Sequence, residues 1–126
     1  MQITKRSGGH MATTTQGLAL VASRSGVDTP WRFPPTQFVH GDTPHEELLL
    51  GPKGVLYTYS VVHTARDARP YALAMVDFEP GVRAFGPMHY EPGHLPPLGA
   101  YMRVVPHTLA DGSPDYAFEQ VQGVAP

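Results

Sequence analysis

The chain has 126 residues, of which 41% are hydrophobic and 16% charged, so it can bury a core and is not disordered by composition. Its net charge of −2 argues against the basic surface typical of nucleic-acid-binding proteins. It contains no cysteine, which excludes disulfides, thiolate catalysis and cysteine-bound zinc, and its 14 prolines and 13 glycines favour short elements joined by turns.

Residues 1–10 are interpreted as a vector-derived tail, because the Gly-Gly-His-Met junction that ends at Met11 is typical of a cloning scar. The longest apolar runs, Leu18 to Ala22 and Tyr71 to Val76, are too short to span a membrane. The N-terminus also lacks the apolar stretch of a signal peptide. We therefore expect a cytoplasmic protein.

Residues 11–53 are predicted to form an extended N-terminal arm. Leu18 to Ala22 is compatible with either one turn of helix or a short strand. Trp31 to Pro35 is expected to be extended and stiff, because proline fixes its own φ angle and restricts the residue before it. Burial of Trp31 and Phe33 would hold this segment against the rest of the domain.

Residues 54–121 are predicted to form five strands, because runs of β-branched and aromatic residues alternate with turns. The predicted strands are Val55 to Thr64, Tyr71 to Glu79, Val82 to Met88, Tyr101 to Val105 and Tyr116 to Gln120. The segment His89 to Leu98 contains three prolines and is predicted to be a loop. Five short strands favour an all-β fold, a Greek-key barrel of the OB type, over an immunoglobulin-like sandwich, which needs about seven strands.

Alternation along the strands predicts which side chains share a face. On the first strand one face is expected to carry Val55, Tyr57, Tyr59 and Val61. On the second strand one face is expected to carry Ala72, Ala74, Val76 and Phe78. Gly86 lies within the third strand and is expected to mark a bulge or a sharply coiled corner of the barrel.

The sequence offers weak candidates for catalysis. Ser60, His63 and Asp77 have the residue types of a hydrolase triad, but Ser60 and His63 are three positions apart on a strand and so face opposite sides. Asp77 and Glu79 share a face, as acid–base pairs do. A strand end at which a carboxylate pairs with Arg83 across the hairpin is the preferred interpretation.

Two groups of histidines lie near carboxylates, and neither has a regular metal-ligand spacing. In one group His40 and His45 lie near Asp42, Glu46 and Glu47, and in the other His89 and His94 flank Glu91. Both groups fall in loops rich in proline and glycine, so we expect no metal site.

Aromatic residues on a barrel face could stack nucleic-acid bases, or they could form core and interface contacts. The tyrosines concerned are Tyr57, Tyr59, Tyr71, Tyr101 and Tyr116. Without a basic groove the second interpretation is preferred. The arginines Arg66, Arg69, Arg83 and Arg103 are isolated, and no glycine-rich phosphate loop accompanies them.

Three segments together resemble a known family. They are Gly54 to His63 with the pattern G-x-x-Y-T-Y, Pro70 to Arg83 with the pattern P-Y-x-x-A-x-V-x-F-x-x-G, and Leu98-Gly99 before the fourth strand. The pattern resembles the acyl-CoA-associated OB-fold family, long known as domain of unknown function thirty-five. The resemblance covers roughly Arg32 to Gln120 and supports the OB-type barrel.

Members of that family usually carry a zinc ribbon before the barrel, in which two C-x2-C knuckles flank an R-F-P-P-R segment. This chain keeps Arg32 to Pro35, but the positions of the knuckles, near Ala22 to Gly26 and Val39 to Asp42, hold none of the four cysteines. The resemblance therefore implies a degenerate ribbon within residues 11–53. We expect no zinc and no other cofactor of the chain's own.

The resemblance implies a non-catalytic accessory subunit. Such subunits pair with thiolase-superfamily enzymes, including acyltransferases and the lipid-transfer-protein-like aldolases of steroid side-chain degradation, and hold the CoA thioester while the partner performs the chemistry. We accordingly expect no turnover by the chain alone. A free-standing acyl-CoA or small-ligand binder and a single-strand nucleic-acid-binding OB module are the alternatives.

Two sets of residues are predicted to serve this role. The predicted partner contacts are Trp31, Phe33, Pro34 and Pro35 of the arm and His89, Tyr90 and His94 of the loop. The predicted CoA contacts are Arg83 and Arg103.

Overall fold

The computed structural model describes residues 2–7, 9–35, 46–62 and 71–121, and in these ranges the chain forms nine β-strands. The first four are β1 (Ile3–Ser7), β2 (Met11–Thr14), β3 (Gly17–Arg24) and β4 (Glu46–Leu50). The other five are β5 (Lys53–Val62), β6 (Tyr71–Phe78), β7 (Val82–His89), β8 (Tyr101–Thr108) and β9 (Pro114–Gln120). None of the described residues belongs to a helix long and apolar enough to cross a membrane.

Strands β5–β9 close into a barrel in the order β5-β6-β7-β9-β8, with β8 returning to β5. Among these strands β7 and β9 run parallel, while the other neighbours are antiparallel. This order is the Greek-key topology of an OB-fold, so the predicted all-β fold with a five-stranded barrel is confirmed. The barrel begins at Lys53 and ends at Gln120, one residue outside and one residue inside the predicted range 54–121.

The region predicted as an extended arm contains an antiparallel sheet in the order β1-β2-β3-β4. The segment Leu18 to Ala22, for which helix and strand were both open, lies within β3. Ser23 and Arg32 then exchange two backbone hydrogen bonds of 3.0 and 2.7 Å, which fixes the start of the proline segment beside β3. β1, β2 and β4 have only four or five residues each, and β3 and β4 are joined by a long segment, so local patterns gave little sign of the sheet.

β1 lies within residues 1–10, and its interpretation as a vector-derived tail stays untested. In the structure this strand pairs with β2 from Ile3 to Ser7. The guanidinium of Arg6 donates hydrogen bonds of 2.7 and 2.9 Å to the two carboxylate oxygens of Glu47 on β4. The tail is therefore an integral strand of the sheet in this structure.

The sheet and the barrel share one apolar core. Leu20 and Leu50 of the sheet belong to the same buried cluster as Leu56, Met102 and Phe118 of the barrel, and each of these side chains is at most 1% exposed. Complete burial of a side chain of this size contributes about 1.5–3 kcal/mol relative to exposure. The sheet is consequently packed against the barrel as part of one folding unit.

A β-bulge at Tyr57 changes which residues of β5 face inward. Leu56 and Thr58 lie opposite consecutive residues of β6, so Tyr57 is the extra residue. Leu56 is buried before the bulge, whereas Tyr59 and Val61 pack against the core after it. The predicted common face for Tyr57 and Tyr59 is wrong, because one inserted residue reverses the alternation.

Of the two alternatives for Gly86, a bulge or a sharply coiled corner of the barrel, the bulge is not formed, since Gly86 pairs in regular register with Ala74. The ring of Tyr116 occupies the space beside it, and a Cβ at this position would lie 2.6 Å from ring atom Cε2. The hydroxyl group of Tyr116 donates a hydrogen bond to the carbonyl oxygen of Phe85. Gly86 is therefore required by close approach of an aromatic ring from β9.

Candidate functional site

The outer surface of β5–β7 carries exposed and half-exposed apolar side chains. Alternation on β6 is as predicted, with Ala72, Ala74, Val76 and Phe78 buried and the intervening residues directed outward. We call the outward patch the apolar face; it consists of Tyr57, Tyr71, Leu73, Met75, Phe85 and Pro87. Its aromatic side chains are about half exposed, with 50% for Tyr57, 47% for Tyr71 and 53% for Phe85.

The residues of the apolar face form rows across neighbouring strands. Leu73 lies opposite Pro87 and Met75 lies opposite Phe85, so their side chains are neighbours on the outer surface. The outer face of an antiparallel sheet that meets only solvent is usually polar. An apolar patch with aromatic residues and methionine is instead typical of a surface that contacts another molecule.

An arginine lies at one end of the apolar face. Its guanidinium donates hydrogen bonds to Asp77, with Nε 2.7 Å from Oδ1 and a second nitrogen 3.2 Å from Oδ2. The same guanidinium of Arg83 lies 3.5 Å above the centre of the Tyr57 ring. The predicted pairing of a carboxylate with Arg83 across the hairpin is observed at Asp77.

A cleft adjoins the far end of β7, where the chain enters the loop after this strand. Its volume is about 750 Å³, and its lining includes His89, Tyr90, Glu91, His94 and Glu119. The amide of His94 donates a 2.9 Å hydrogen bond to the carbonyl oxygen of Glu91, so the loop turns back on itself here. The structure thus brings the three predicted loop contacts, His89, Tyr90 and His94, to one cleft.

His89 at the edge of the cleft is paired with a second histidine. Its Nε2 lies 3.0 Å from Nδ1 of His107 on β8, and the ring centres are 5.1 Å apart. Burial is the main cause that lowers the pKa of His89, and His107 lowers it further, while the carboxylate of Glu119 acts in the opposite direction. Sequence reasoning missed His107, because strands β7 and β8 meet across β9 only once the barrel has closed.

The predicted contacts of the arm are packed against the domain to different degrees. Trp31 is half-buried against the core and lies 4.3 Å beneath the guanidinium of Arg24. Phe33 is also half-buried and meets an aromatic ring of β9 edge-on, at 5.7 Å between centres. Pro34 is exposed, and Pro35 is buried. The predicted clamping of this segment by Trp31 and Phe33 is therefore observed.

The remaining candidates do not converge on a catalytic or metal site. Arg103, a predicted CoA contact, lies on β8 and donates a 3.2 Å hydrogen bond to Glu119. Among the described residues no three histidine, aspartate or glutamate side chains are placed to hold a metal ion. The candidates that lie outside the described residues are His40, Asp42, His45, His63, Arg66 and Arg69.

A comparison with known families decides the classification of the chain. The family described as "ChsH2, C-terminal OB-fold domain" matches residues 49–114. The chain belongs to this family. The match covers most of the barrel and confirms the resemblance to domain of unknown function thirty-five.

Two relatives of this OB-fold domain extend the comparison. A "DUF35 domain-containing scaffold protein" of Methanocaldococcus jannaschii is 44% identical over 48 residues, which is 35% of this chain and 34% of that protein. The match thus spans about a third of the relative's length. A solved "Ltp2-ChsH2(DUF35) aldolase" structure aligns with a TM-score of 0.62 at 19% identity, covering 81% of this chain and 84% of that one, and shows a shared fold.

The location of the apolar face agrees with how OB-fold domains are used. Such barrels bind their ligands on the outer surface of the second and third strands and on nearby loops. In this chain these strands are β6 and β7, which carry most of the apolar face. The structure therefore places its unusual surface where the fold commonly contacts another molecule.

Proposed function

We propose that the chain is a non-catalytic accessory subunit that binds a partner enzyme through the apolar face. The observation that carries the proposal is the exposed aromatic and aliphatic surface of β5–β7. The names of the relatives support it, since one is called a scaffold protein and the other joins ChsH2(DUF35) with Ltp2 in an aldolase. The partner is a cytoplasmic thiolase-superfamily enzyme, a thiolase or a retro-aldolase, that acts on an acyl-CoA. In its most specific form, the proposal places this reaction in steroid side-chain degradation.

The chemistry near the site supports assignment of catalysis to the partner. Asp77 is held by Arg83, and Glu119 is held by Arg103, so these carboxylates are engaged in ion pairs. His89 is engaged with a second histidine. A general acid or base has to reach a substrate proton. These groups bind one another instead, and they serve structure better than proton transfer.

The charges also favour a protein partner over free CoA or nucleic acid. Both ligands carry phosphates, which need cationic side chains that are not already neutralised. The predicted CoA contacts Arg83 and Arg103 are each paired with a carboxylate, and the cleft is lined by Glu91 and Glu119. We therefore propose that the CoA thioester is bound by the assembled complex, in which the partner supplies additional contacts.

The arm extends the proposed contact surface. Pro34 is exposed, and the half-buried rings of Trp31 and Phe33 keep an accessible edge. In the loop, His94 is exposed beside the cleft. We propose that these residues contribute contacts at the rim, while the apolar face provides the centre of the interface.

Co-expression with the products of the neighbouring genes, and with any thiolase-like protein among them, tests the proposal. We expect a stable heteromer in size-exclusion chromatography with light scattering, and acyl-CoA turnover by the complex but not by this chain alone. A lone monomer beside every neighbouring thiolase-like protein would overturn the proposal. In that case calorimetry that detects acyl-CoA binding to the isolated chain would support the free-standing binder, and a gel shift at low salt would support the nucleic-acid module.

A further inference from the structure

The barrel closes between β7 and β9 through a very short backbone ladder. In this parallel pair only Met88 opposite Phe118 and His89 opposite Glu119 are in register among the described residues. By contrast, β6 and β7 are paired along their whole length, from Ala72 to Phe78. The seam between β7 and β9 therefore has little backbone hydrogen bonding of its own, and local opening is easiest where such bonding is sparse.

Two side-chain hydrogen bonds reinforce this seam from opposite sides. On the inner side, Tyr116 of β9 donates its hydroxyl hydrogen to the carbonyl oxygen of Phe85 on β7. On the outer side, His89 of β7 reaches across β9 to His107 of β8, with 3.0 Å between Nε2 and Nδ1. The outer bond lies at the last residue of β7, next to the loop that forms the cleft.

We propose that the His89–His107 pair is a pH-sensitive clasp, which holds the seam and the cleft closed at neutral pH and releases them on mild acidification. A neutral pair forms an N–H···N bond, in which one ring donates and the other accepts. One added proton preserves the bond, because a protonated ring still donates to a neutral one. A second proton places two N–H groups face to face and sets two positive charges against each other.

The charged groups around the pair do not prevent the loss of the His89–His107 hydrogen bond on protonation of both rings. Glu119 lies opposite His89 and favours its protonated form, but its carboxylate accepts a hydrogen bond from Arg103. Asp115 lies opposite His107 and is bonded at 3.2 Å to His10 of the sheet. On the loop side the charged or titratable groups are Tyr90, Glu91 and His94, which line the cleft.

The direction of the pH effect follows from the pKa of His89, which burial and the neighbouring His107 lower below the usual 6.5. At pH values between the lowered pKa of His89 in the closed state and its usual pKa in the open state, the open state therefore binds more protons than the closed state. Closure is therefore fully stabilised above about pH 6.5, the pKa in the open state. It weakens as the pH falls from there through the lowered pKa of the closed state.

Amide hydrogen exchange on the full chain between pH 7.5 and pH 5 tests the clasp. After correction for intrinsic exchange, we expect protection factors at residues 86–90 and 116–120 to fall by about tenfold or more, while those of the β5–β6 pair stay constant. Unchanged protection factors at the seam, or an equal loss of protection over the whole barrel, would overturn the proposal. This readout needs no partner, so its result is independent of the proposed function.

Two substitutions separate the clasp from a general effect of acid. His107→Asn keeps an amide near the position of Nδ1 but removes the second imidazole, so protonated His89 can still donate to it and seam protection should depend much less on pH. His94→Gln removes a histidine of the same cleft and should leave the wild-type pH profile intact. A pH-dependent loss of the full wild-type size in His107→Asn, or the disappearance of this loss in His94→Gln, would contradict the assignment. ¹⁵N shifts of the His89 imidazole in the wild-type chain, which should show that its pKa lies below the usual 6.5, test the assignment without any substitution.

Discussion

The sheet β1–β4 and the barrel β5–β9 contribute side chains to the same core, but their outer surfaces differ. On the sheet, Arg6 pairs with Glu47 and Arg24 pairs with Glu46, both at 2.7 Å, so charged residues cover the strands. On the barrel, strands β5–β7 present the apolar face, with Phe85 53% exposed. Under the proposed function, this difference assigns support of the fold to the sheet and partner contact to the barrel.

Strands β2–β4 of the sheet lie within the part of the chain, residues 11–53, for which the family resemblance implies a degenerate zinc ribbon. In a ribbon a metal ion ties the strands together through cysteines, and the positions expected for its knuckles hold no cysteine here. The described strands are joined instead by their backbone ladders, by surface ion pairs and by Leu20 and Leu50 in the common core. Packing against the barrel can thus stabilise a sheet whose sequence lacks the cysteines of a zinc ribbon.

The largest effect is expected from Leu50→Ala, which tests whether the two regions depend on one core. Leu50 is fully buried, and its truncation should lower the free energy of unfolding by about 2–5 kcal/mol through lost burial and a cavity. Chemical denaturation followed by tryptophan fluorescence, which reports on Trp31, and by far-ultraviolet circular dichroism should still show one transition. Two separated transitions would contradict the shared core.

A smaller effect, confined to assembly, is expected from Phe85→Ser on the apolar face. Loss of an aromatic residue at the centre of an interface should weaken binding to the co-purified partner by about 2 kcal/mol or more, roughly thirtyfold in Kd. Because this side chain is half exposed, the free energy of unfolding should change much less.

Ile3→Ser is the matched control for Phe85→Ser. Ile3 is 43% exposed and lies on β1 of the sheet, outside the apolar face. Titration calorimetry of both variants against the partner gives the comparison. Equal losses of affinity in the two variants would contradict the assignment of the interface.

Tyr116→Phe should reduce stability by about 1–2 kcal/mol, because it leaves the carbonyl oxygen of Phe85 without its hydrogen bond. Burial raises the pKa of Tyr116 to about 12 from 10.0, so the folded state retains a proton that the unfolded state loses. Stability should therefore decline as the pH rises from about 10 to about 12. Denaturation at several pH values should show a smaller decline in Tyr116→Phe, and an identical decline in both proteins would count against this cause.

The smallest effect is expected from Arg6→Gln on the sheet. The pair of Arg6 and Glu47 is solvent-accessible, with side-chain exposures of 40% and 38%, and exposed pairs contribute about 0–1 kcal/mol. The loss of stability should lie in that range and should shrink as salt is added. A loss of several kcal/mol in thermal denaturation would show that the sheet depends on its surface charges as much as on the core.

The barrel could be predicted from the sequence because its signals are local. β6 alternates without interruption from Ala72 to Phe78, and the turn at Gly81, whose φ is 109°, separates it from β7. The bulge at Tyr57 could not be predicted, since it depends on the register between two strands. The sheet β1–β4 was missed because β3 and β4 are joined by a long segment and each strand carries a weak pattern.

Part of the candidate site could be predicted, because some of its residues are also close together in sequence. His89, Tyr90 and His94 are close in sequence and were expected to act together, and they do line one cleft. The pairing of His89 with His107 requires three strands to be placed side by side. The apolar face depends on which side of β6 is buried, and the alternating residues Leu73 and Met75 are apolar on the exposed side as well.

The exposed side of β6 and β7 has a consequence for the chain before assembly. A copy without a partner leaves Tyr57, Tyr71 and Phe85 in contact with water. Surfaces of this kind promote self-association at high concentration and binding by chaperones. Production of this subunit in step with the protein that covers it would keep the pool of unassembled copies small, and the solubility of the recombinant chain should rise when both are made in the same cell.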